Sequence, residues 1–479
     1  MYSLNKNLNI ILFSKNFFFV IFLLTPISIY FNLFSWFFII ILLSIFLFLS
    51  SSNIYFENRN IFYLIIISFF FKFFINEFLY IYYETKGYLY GTLGGSDDIS
   101  YFLRGKIIAE FFRNNLSHEL NHRIFSTNLN DNEFFNHINA LINYVDTNIS
   151  LKEVTKIGIF LNTFSAIIFY NICTNHELKK KSIFLIILLF IIDFKINFYS
   201  NFNLKEIYVL FSSISLIYLC STIITNKFEN KIILFLSIFG ILLSIFLRFK
   251  FFLLFIFIII STIFIKFFLI NTNFFKSYLK LKIILFLIFF ILIIYYINPL
   301  NLFINYNNVF SPIFYDPNNS DDSISNKFYN LKYSDNIFYF FVHFFSGMIA
   351  IFPIYKEVNM YLTFQLYAQI WSHLLIISSC FFCLSFIKNL KKIDFNLKFL
   401  ILIIFFKSLL ILIISTLISM GSLSFFRYSL FFNIFLIFII GSSLEFNFTK
   451  KLVIKTVLIY FCGNLILLLP YYLLKSSLI

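Results

Sequence analysis

Charge is what this sequence has least of. Asp, Glu, Lys and Arg together make up 12% of its 479 residues, about half the share of a soluble domain. So few ionic groups cannot solvate a water-facing surface of that size, so a large soluble globular protein is excluded. Cysteine is also rare. The five present (Cys173, Cys220, Cys380, Cys383 and Cys462) lie in or at the ends of apolar runs. Cys380 and Cys383 form a C-x-x-C, but inside a predicted membrane span and with no second pair. They read as small packing residues, and neither a structural disulfide nor a zinc site is indicated. Glycine (11), proline (6) and arginine (six) are scarce, whereas Phe (78) and Tyr (30) abound. That bias fits an AT-rich genome, so each Gly, Pro and Arg kept against it carries more information than usual.

What remains is apolar surface. The chain is 60% hydrophobic with a mean hydropathy of +0.89. The formal charge of +15 would point to nucleic acid in a soluble protein. Here the excess lysine sits in short loops between apolar runs, as the positive-inside rule expects, so no nucleic-acid partner is expected. Runs of spanning length fall near 16–31, 33–50, 61–82, 157–174, 182–199, 204–224, 232–247, 251–269, 283–297, 363–387, 398–419, 428–445 and 452–474. Backbone in lipid must satisfy its own hydrogen bonds, so these runs are read as helices. The alternation of an outer-membrane barrel is absent from the sequence. The expectation is an all-α, polytopic transmembrane bundle of about thirteen spans in a single membrane domain, residues 1–479. Lys6 and Lys15 ahead of the first run resemble a signal sequence, but no small-residue cleavage site follows, so an uncleaved first span is expected.

Orientation follows from five basic clusters: Lys179–Lys181, Lys227 with Lys231, Lys276–Lys282, Lys388–Lys392, and Lys450 with Lys451 and Lys455. A cytoplasmic N-terminus puts all five inside, provided residues 336–356 lie re-entrant or on the surface and do not cross. Two long polar loops then fall outside, 83–156 and 298–362. Loops held by a rigid frame tend to carry function. No internal repeat of the kind found in many secondary transporters is visible.

The most informative stretch is Gly91-Thr92-Leu93-Gly94-Gly95-Ser96-Asp97-Asp98-Ile99-Ser100-Tyr101-Phe102-Leu103-Arg104-Gly105-Lys106. Five of the eleven glycines lie between residues 87 and 105. Ser96 or Asp97 can cap a helix of about 98–113. On it Lys106, Glu110 and Arg113 share one stripe, and Ile107, Ile108, Phe111 and Phe112 the opposite one, as in an interfacial helix whose apolar side faces the headgroups. Such a turn would hold two carboxylates at the membrane surface, able to accept a proton from an attacking hydroxyl or to bind a divalent cation. The plain alternative is a helix cap beside a solvated acid. Arg248 and Lys250 sit between two apolar runs at the predicted outer side, and Arg427 at the outer end of another. Guanidinium and ammonium groups there suit phosphate oxygens, or else snorkel. Lys205 and His343 are further anion-contact candidates. Within the spans Lys72, Glu77, Asp193, Lys195 and Lys407 need partners or a water-lined path.

The motifs Gly94-Gly95-Ser96-Asp97-Asp98-Ile99-Ser100-Tyr101, Leu247-Arg248-Phe249-Lys250, Phe352-Pro353 and Phe426-Arg427-Tyr428 give a layout that resembles the GT-C integral membrane glycosyltransferases and the related O-antigen or exopolysaccharide repeat-unit polymerases. One departure is that the acidic loop follows the third apolar run, closer to the polymerase-like layout. The resemblance implies a polyprenyl-phosphate- or diphosphate-linked sugar donor, a glycan acceptor and work on the outer face of a bacterial inner membrane. It implies an inverting displacement with Asp97 or Asp98 as base. Arg248, Lys250, Arg427, Lys205 and His343 would take the lipid phosphate. Gly94, Gly95, Tyr101 and Arg104 would shape the loop. A divalent cation is compatible with this scheme and not required by it. The competing readings are a flippase or transporter for lipid-linked oligosaccharide, which should carry polar residues on broken helices at mid-membrane depth, and a non-catalytic component of an envelope assembly system.

Overall fold

The computed structural model describes residues 36–85, 96–114, 133–228, 230–247, 249–270, 375–376, 379, 394–418 and 422–443. All secondary structure among them is helical. In chain order the long elements are α1 (Trp36–Glu57), α2 (Arg59–Thr85), α3 (Ser96–Arg113), α4 (Glu133–Val145), α5 (Leu151–Asn175), α6 (Lys180–Ile192), α7 (Phe194–Ser200), α8 (Lys205–Thr225), α9 (Lys231–Leu247), α10 (Phe249–Ile270), α11 (Phe395–Ile418) and α12 (Ser422–Ser442). Among the described residues four helices are long and apolar enough to cross a membrane: α2, α5, α8 and the Ile39–Glu57 part of α1. A fifth span results if α6 and α7, bent by 51°, are counted as one. The protein is an integral membrane protein by these helices. The predicted spans near 16–31, 283–297 and 452–474, the loop 298–362, and all of the span near 363–387 but residues 375, 376 and 379 lie outside the described residues.

Helix ends follow local chemistry. The Ser150 hydroxyl accepts from the Glu153 N–H, and the Glu153 carboxylate accepts from the Ser150 N–H at 2.8 Å, a reciprocal cap at the start of α5. At the other end of α5, Glu177 adopts a φ of 54°. Leu178 N–H then turns back onto the Cys173 carbonyl at 3.2 Å, which closes the last turn. Asn226, with φ 57°, ends α8 in the left-handed conformation.

Contacts between neighbours define two ends of the bundle. At the first, Glu77 near the end of α2 meets Lys152 and Lys156 near the start of α5. Asn76 donates to Thr155 and to the Asn201 carbonyl, just after α7. At the opposite end, Tyr170 of α5 donates to Glu57 of α1, Lys227 pairs with Glu177, and Lys266 of α10 donates to Ile223 and Asn226 of α8. Asp394, just before α11, acts electrostatically on His176 at this same end. Consecutive spanning helices therefore alternate in direction. α10 finishes and α11 begins at one end; residues 336–356 lie outside the described residues.

The core lies where α5, α6, α8 and α12 meet, with Phe169 against Phe190 and Phe438. α5 is buried along most of its length and α8 almost completely, whereas Ile67, Phe70, Phe71, Phe74 and Phe78 of α2 are exposed. Exposed apolar side chains on a helix of spanning length face lipid, not water.

Two sequence expectations change. The segment 182–199 is not one straight span: it breaks at Asp193, whose carboxylate accepts from the Ile196 N–H at 2.8 Å and so starts a new helix. The polar segment 83–156, read as an outer loop, carries a further helix beyond the motif helix, since Glu133–Val145 forms α4.

Candidate functional site at the α3 end

The acidic motif is carried on a helix. α3 starts at Ser96, so Asp97 and Asp98 occupy its first turn. Acidic residues are favoured there because free backbone N–H groups and the helix dipole face them. The structure describes the backbone of both residues. Their immediate neighbours are fixed by Tyr101, one turn on. Its buried ring packs edge-on against Phe135 of α4 at 5.0 Å, and Phe135 packs in turn on Tyr208 of α8 at 5.2 Å. Lys205 lies one turn before Tyr208, at the start of α8, and is buried with Glu206.

Gly105 explains how α3 comes so close. A Cβ there would sit 2.5 Å from Asn139 Cβ and 2.9 Å from the Ala140 nitrogen. Only a residue without a side chain lets the two helices cross at this separation. Asn139 in turn holds the α7–α8 corner: its Oδ1 accepts from Asn203 Nδ2 at 2.8 Å. Arg113 closes the far end of the pair by donating to the carbonyls of Asn143 and Tyr144. The α3–α4 pair is thus pinned onto the bundle by a glycine crossing, an amide pair and an arginine clamp.

The stripes read from the sequence of α3 are rearranged by this docking. Tyr101, Phe102, Ile108 and Ala109 turn inward, while Ile107 and Phe112 are exposed beside Lys106 and Glu110. Packing on α4 takes precedence over the two-sided pattern, so apolar and charged side chains share the outer face. Arg104 is exposed on that face.

The remaining candidates are placed by backbone and by neighbours. Lys250 lies in the first turn of α10 and Arg427 in the first half of α12. The rings of Phe251 and Phe431 approach to 6.5 Å, so the start of α10 lies against the middle of α12, about one helical turn beyond Arg427. Both helix starts belong to the α3 end, because Lys266 of α10 and Phe438 of α12 reach the opposite half of the bundle. Gly94, Gly95, Arg248 and His343 lie outside the described residues. Among the described residues no group of three or more His, Cys, Asp and Glu side chains converges to hold a metal ion. Cys173 and Cys220 are buried free thiols.

A second polar region lies inside the bundle, at the break between α6 and α7. Asp193 and Lys195 are fully buried, not at an interface. Besides the Ile196 N–H, the Asp193 carboxylate accepts from Asn433 Nδ2 of α12 at 3.0 Å. Lys72 of α2, only 4% exposed, and Lys195 both feel its charge. Asn197 steadies the break by donating to the Ile191 carbonyl, and it also meets Asn162 of α5. Lys407 of α11 is fully buried and donates to the Ser213 hydroxyl at 2.5 Å.

Sequence reasoning missed α4 and its asparagines. The signal was present: Phe134, Phe135, Ile138, Leu141, Ile142 and Val145 follow a helical period. Asn136, Asn139 and Asn143 are buried on the same element. No family model, no curated protein and no solved structure matches the chain.

Proposed function

We propose that the protein is a membrane-embedded glycosyltransferase that uses a polyprenyl-phosphate-linked sugar to build a cell-surface polysaccharide, of the repeat-unit polymerase kind. The observation that carries this reading is the shared end of the bundle. The helix bearing Asp97 and Asp98 is pinned by Gly105 and Asn139 to the corner from which α8 starts with Lys205, and the starts of α10 and α12, with Lys250 and Arg427, open on the same end.

The chemistry suited to such an end is a single displacement. An acceptor hydroxyl attacks the anomeric carbon as the bond from that carbon to the phosphate oxygen breaks, and the phosphate leaves with the electron pair. The hydroxyl proton passes to the carboxylate of Asp97 or Asp98. Lys205, Lys250 and Arg427, joined by Arg248 and His343 in the same scheme, stabilise negative charge where it develops on the phosphate. A phosphate paired with cations leaves without being protonated, so no second acid is needed. The lipid tail would run between helices, with the site at the outer face of a bacterial inner membrane and the N-terminus in the cytoplasm.

The test is replacement of the acids. Asp97→Asn and Asp98→Asn should abolish surface glycan while membrane insertion persists, and lipid-linked sugar should accumulate as in a deletion strain. Normal glycan in both variants overturns the reading. A second reading, a flippase for lipid-linked oligosaccharide, is favoured by the helix break at Asp193 within the bundle. Reconstituted protein separates the two: a transferase extends an acceptor supplied on the same side as the donor, whereas a flippase moves the lipid and leaves the glycan unchanged.

A further inference from the structure

We propose that the end of the bundle opposite α3 is a binding rim for anionic phospholipids, with headgroups on the lysines that open α6 and α9 and acyl chains along the apolar stripes below them. The inference does not depend on the glycosyl-transfer reading.

The argument starts from charge. Residues 171–182 and 226–232 carry five lysines against two acids, Glu177 and Glu229. Two contacts tie these segments together: Lys227 pairs with Glu177 at 2.7 Å, and Asn230 Nδ2 donates to Asn171 Oδ1 at 3.4 Å. Lys227 thereby neutralises the acid of the α5–α6 turn. Lys180, Lys181 and Lys231 are exposed, and among the described residues none of the three has an ion pair. Lys266 adds a further charge, held only on the neutral oxygens of Ile223 and Asn226. Cations gathered at one end of a membrane bundle attract anionic headgroups. The start of α6 sharpens the need. Lysines there oppose the helix dipole, its first turn has no acid, and the N-cap residue Lys179 makes no side-chain cap hydrogen bond. α9 is capped, since Asn230 Oδ1 accepts from the Ile233 N–H at 3.2 Å.

What favours a lipid over a soluble anion lies beneath the charges. On α9, Lys231 is followed at i+4, i+7, i+8 and i+11 by Phe235, Ile238, Phe239 and Leu242, each about half exposed. At that spacing they share one face with the lysine. The opposite face is already committed: a Cβ at Gly240 would lie 2.9 Å from Ser215 Cβ, so α9 is packed closely on α8 there. The stripe borders α1, whose Phe46 ring meets Phe235 edge-on at 6.5 Å. From Lys231 to Leu242 is roughly 16 Å along the axis, about the hydrocarbon depth of one leaflet. α6 repeats the pattern. Exposed Phe184 stands four and three residues after Lys180 and Lys181, while Ile186, on the other side, packs against Gly441 of α12. Cation above and apolar strip below is the complement of a charged headgroup and its acyl chain.

The test is equilibrium binding of radiolabelled dioleoyl phosphatidylglycerol to the full-length protein in a maltoside detergent, with dioleoyl phosphatidylcholine as the neutral counterpart. Phosphatidylglycerol should bind saturably and more tightly than phosphatidylcholine. Lys180→Gln, Lys181→Gln and Lys231→Gln together should weaken phosphatidylglycerol about fivefold per lysine at low salt and leave phosphatidylcholine unchanged. Arg at the same three positions should keep the preference. Lys106→Gln, at an exposed lysine of the α3 end, should change nothing. All these positions are exposed, so the variants should fold, which a size-exclusion profile checks. Equal binding of the two lipids, a preference that survives the Gln variant, or an equal loss in Lys106→Gln overturns the proposal. Displacement of the lipid by glycerol phosphate also overturns it, because the apolar stripes would then play no part. The measurement involves neither glycan nor Asp97 and Asp98, so its failure and that of the glycosyl-transfer reading are told apart.

Discussion

Two places in this molecule put one carboxylate between two lysines, and they differ in depth. At the α3 end, Glu77 meets Lys152 and Lys156 at 2.9 Å each, with all three side chains partly exposed. At the helix break, Asp193 stands between Lys72 and Lys195 with no solvent reaching the carboxylate. In the outer triad the lysines take both carboxylate oxygens directly. In the inner one a backbone N–H and an asparagine also sit on the carboxylate oxygens. Water and screening make the outer arrangement a modest fastening between α2 and α5. Exclusion of water makes the inner one a strong constraint, because removing one member leaves charge stranded.

That difference predicts unequal responses to the same operation. Asp193→Ala should cost about 3–5 kcal/mol, the usual cost of breaking a buried charge cluster, read as a fall in thermal unfolding temperature in detergent. It also removes the cap of α7. A loss under about 1 kcal/mol would mean that the two lysines are not held by this carboxylate. The opposite end of the bundle offers a pH test of buried charge outside the spans. His176 is half-buried with its Nε2 shut away from water, and desolvation holds its imidazole down to about 4, against an ordinary value of 6.5; Asp394 opposes the shift and Lys227 adds to it. Between those two values the unfolded chain binds more protons than the folded one, so stability is complete above pH 6.5 and falls as pH drops toward 4. The expected loss is up to roughly 3 kcal/mol, and His176→Gln should flatten it in an unfolding series over that range.

Smaller effects sharpen the outer half of the comparison. Gly105→Leu drives a side chain into Asn139 and the α4 backbone. It should cost about 1–3 kcal/mol and expose the α3–α4 pair to limited proteolysis, leaving the spans intact. Glu77→Gln should cost under about 1 kcal/mol and the loss should shrink further in high salt. A larger, salt-independent loss would show that the outer triad behaves like the inner one.

The sequence made some of this legible and hid the rest for physical reasons. Membrane helices announce themselves by composition, so α2, α5 and α8 begin and end within a few residues of the expected runs. The alternation of their directions was legible in the lysine clusters. The break at Asp193 was not, because a single acid inside an apolar run reads equally as an interfacial residue. What decides it is the neighbours: Lys72, 121 positions earlier, and Asn433, 240 positions later. The α3–α4 crossing was half visible. The glycine cluster marked the motif, but Gly105 acquires its role only from Asn139, on a helix inside the segment read as an outer loop. The packing of the α10 start against α12 rests on two phenylalanines among 78, and no local pattern could single them out.

The account depends on Asp97, Lys250 and Arg427 sharing one water-accessible face. The direct measurement is thiol labelling with a membrane-impermeant reagent on intact cells. It uses single-cysteine variants D97C, K250C and R427C in a background freed of the five native cysteines, with K227C as the opposite-end reference. The account predicts labelling of the first three from outside and protection of the fourth until the membrane is opened. Labelling that divides the first three between the two sides would contradict it.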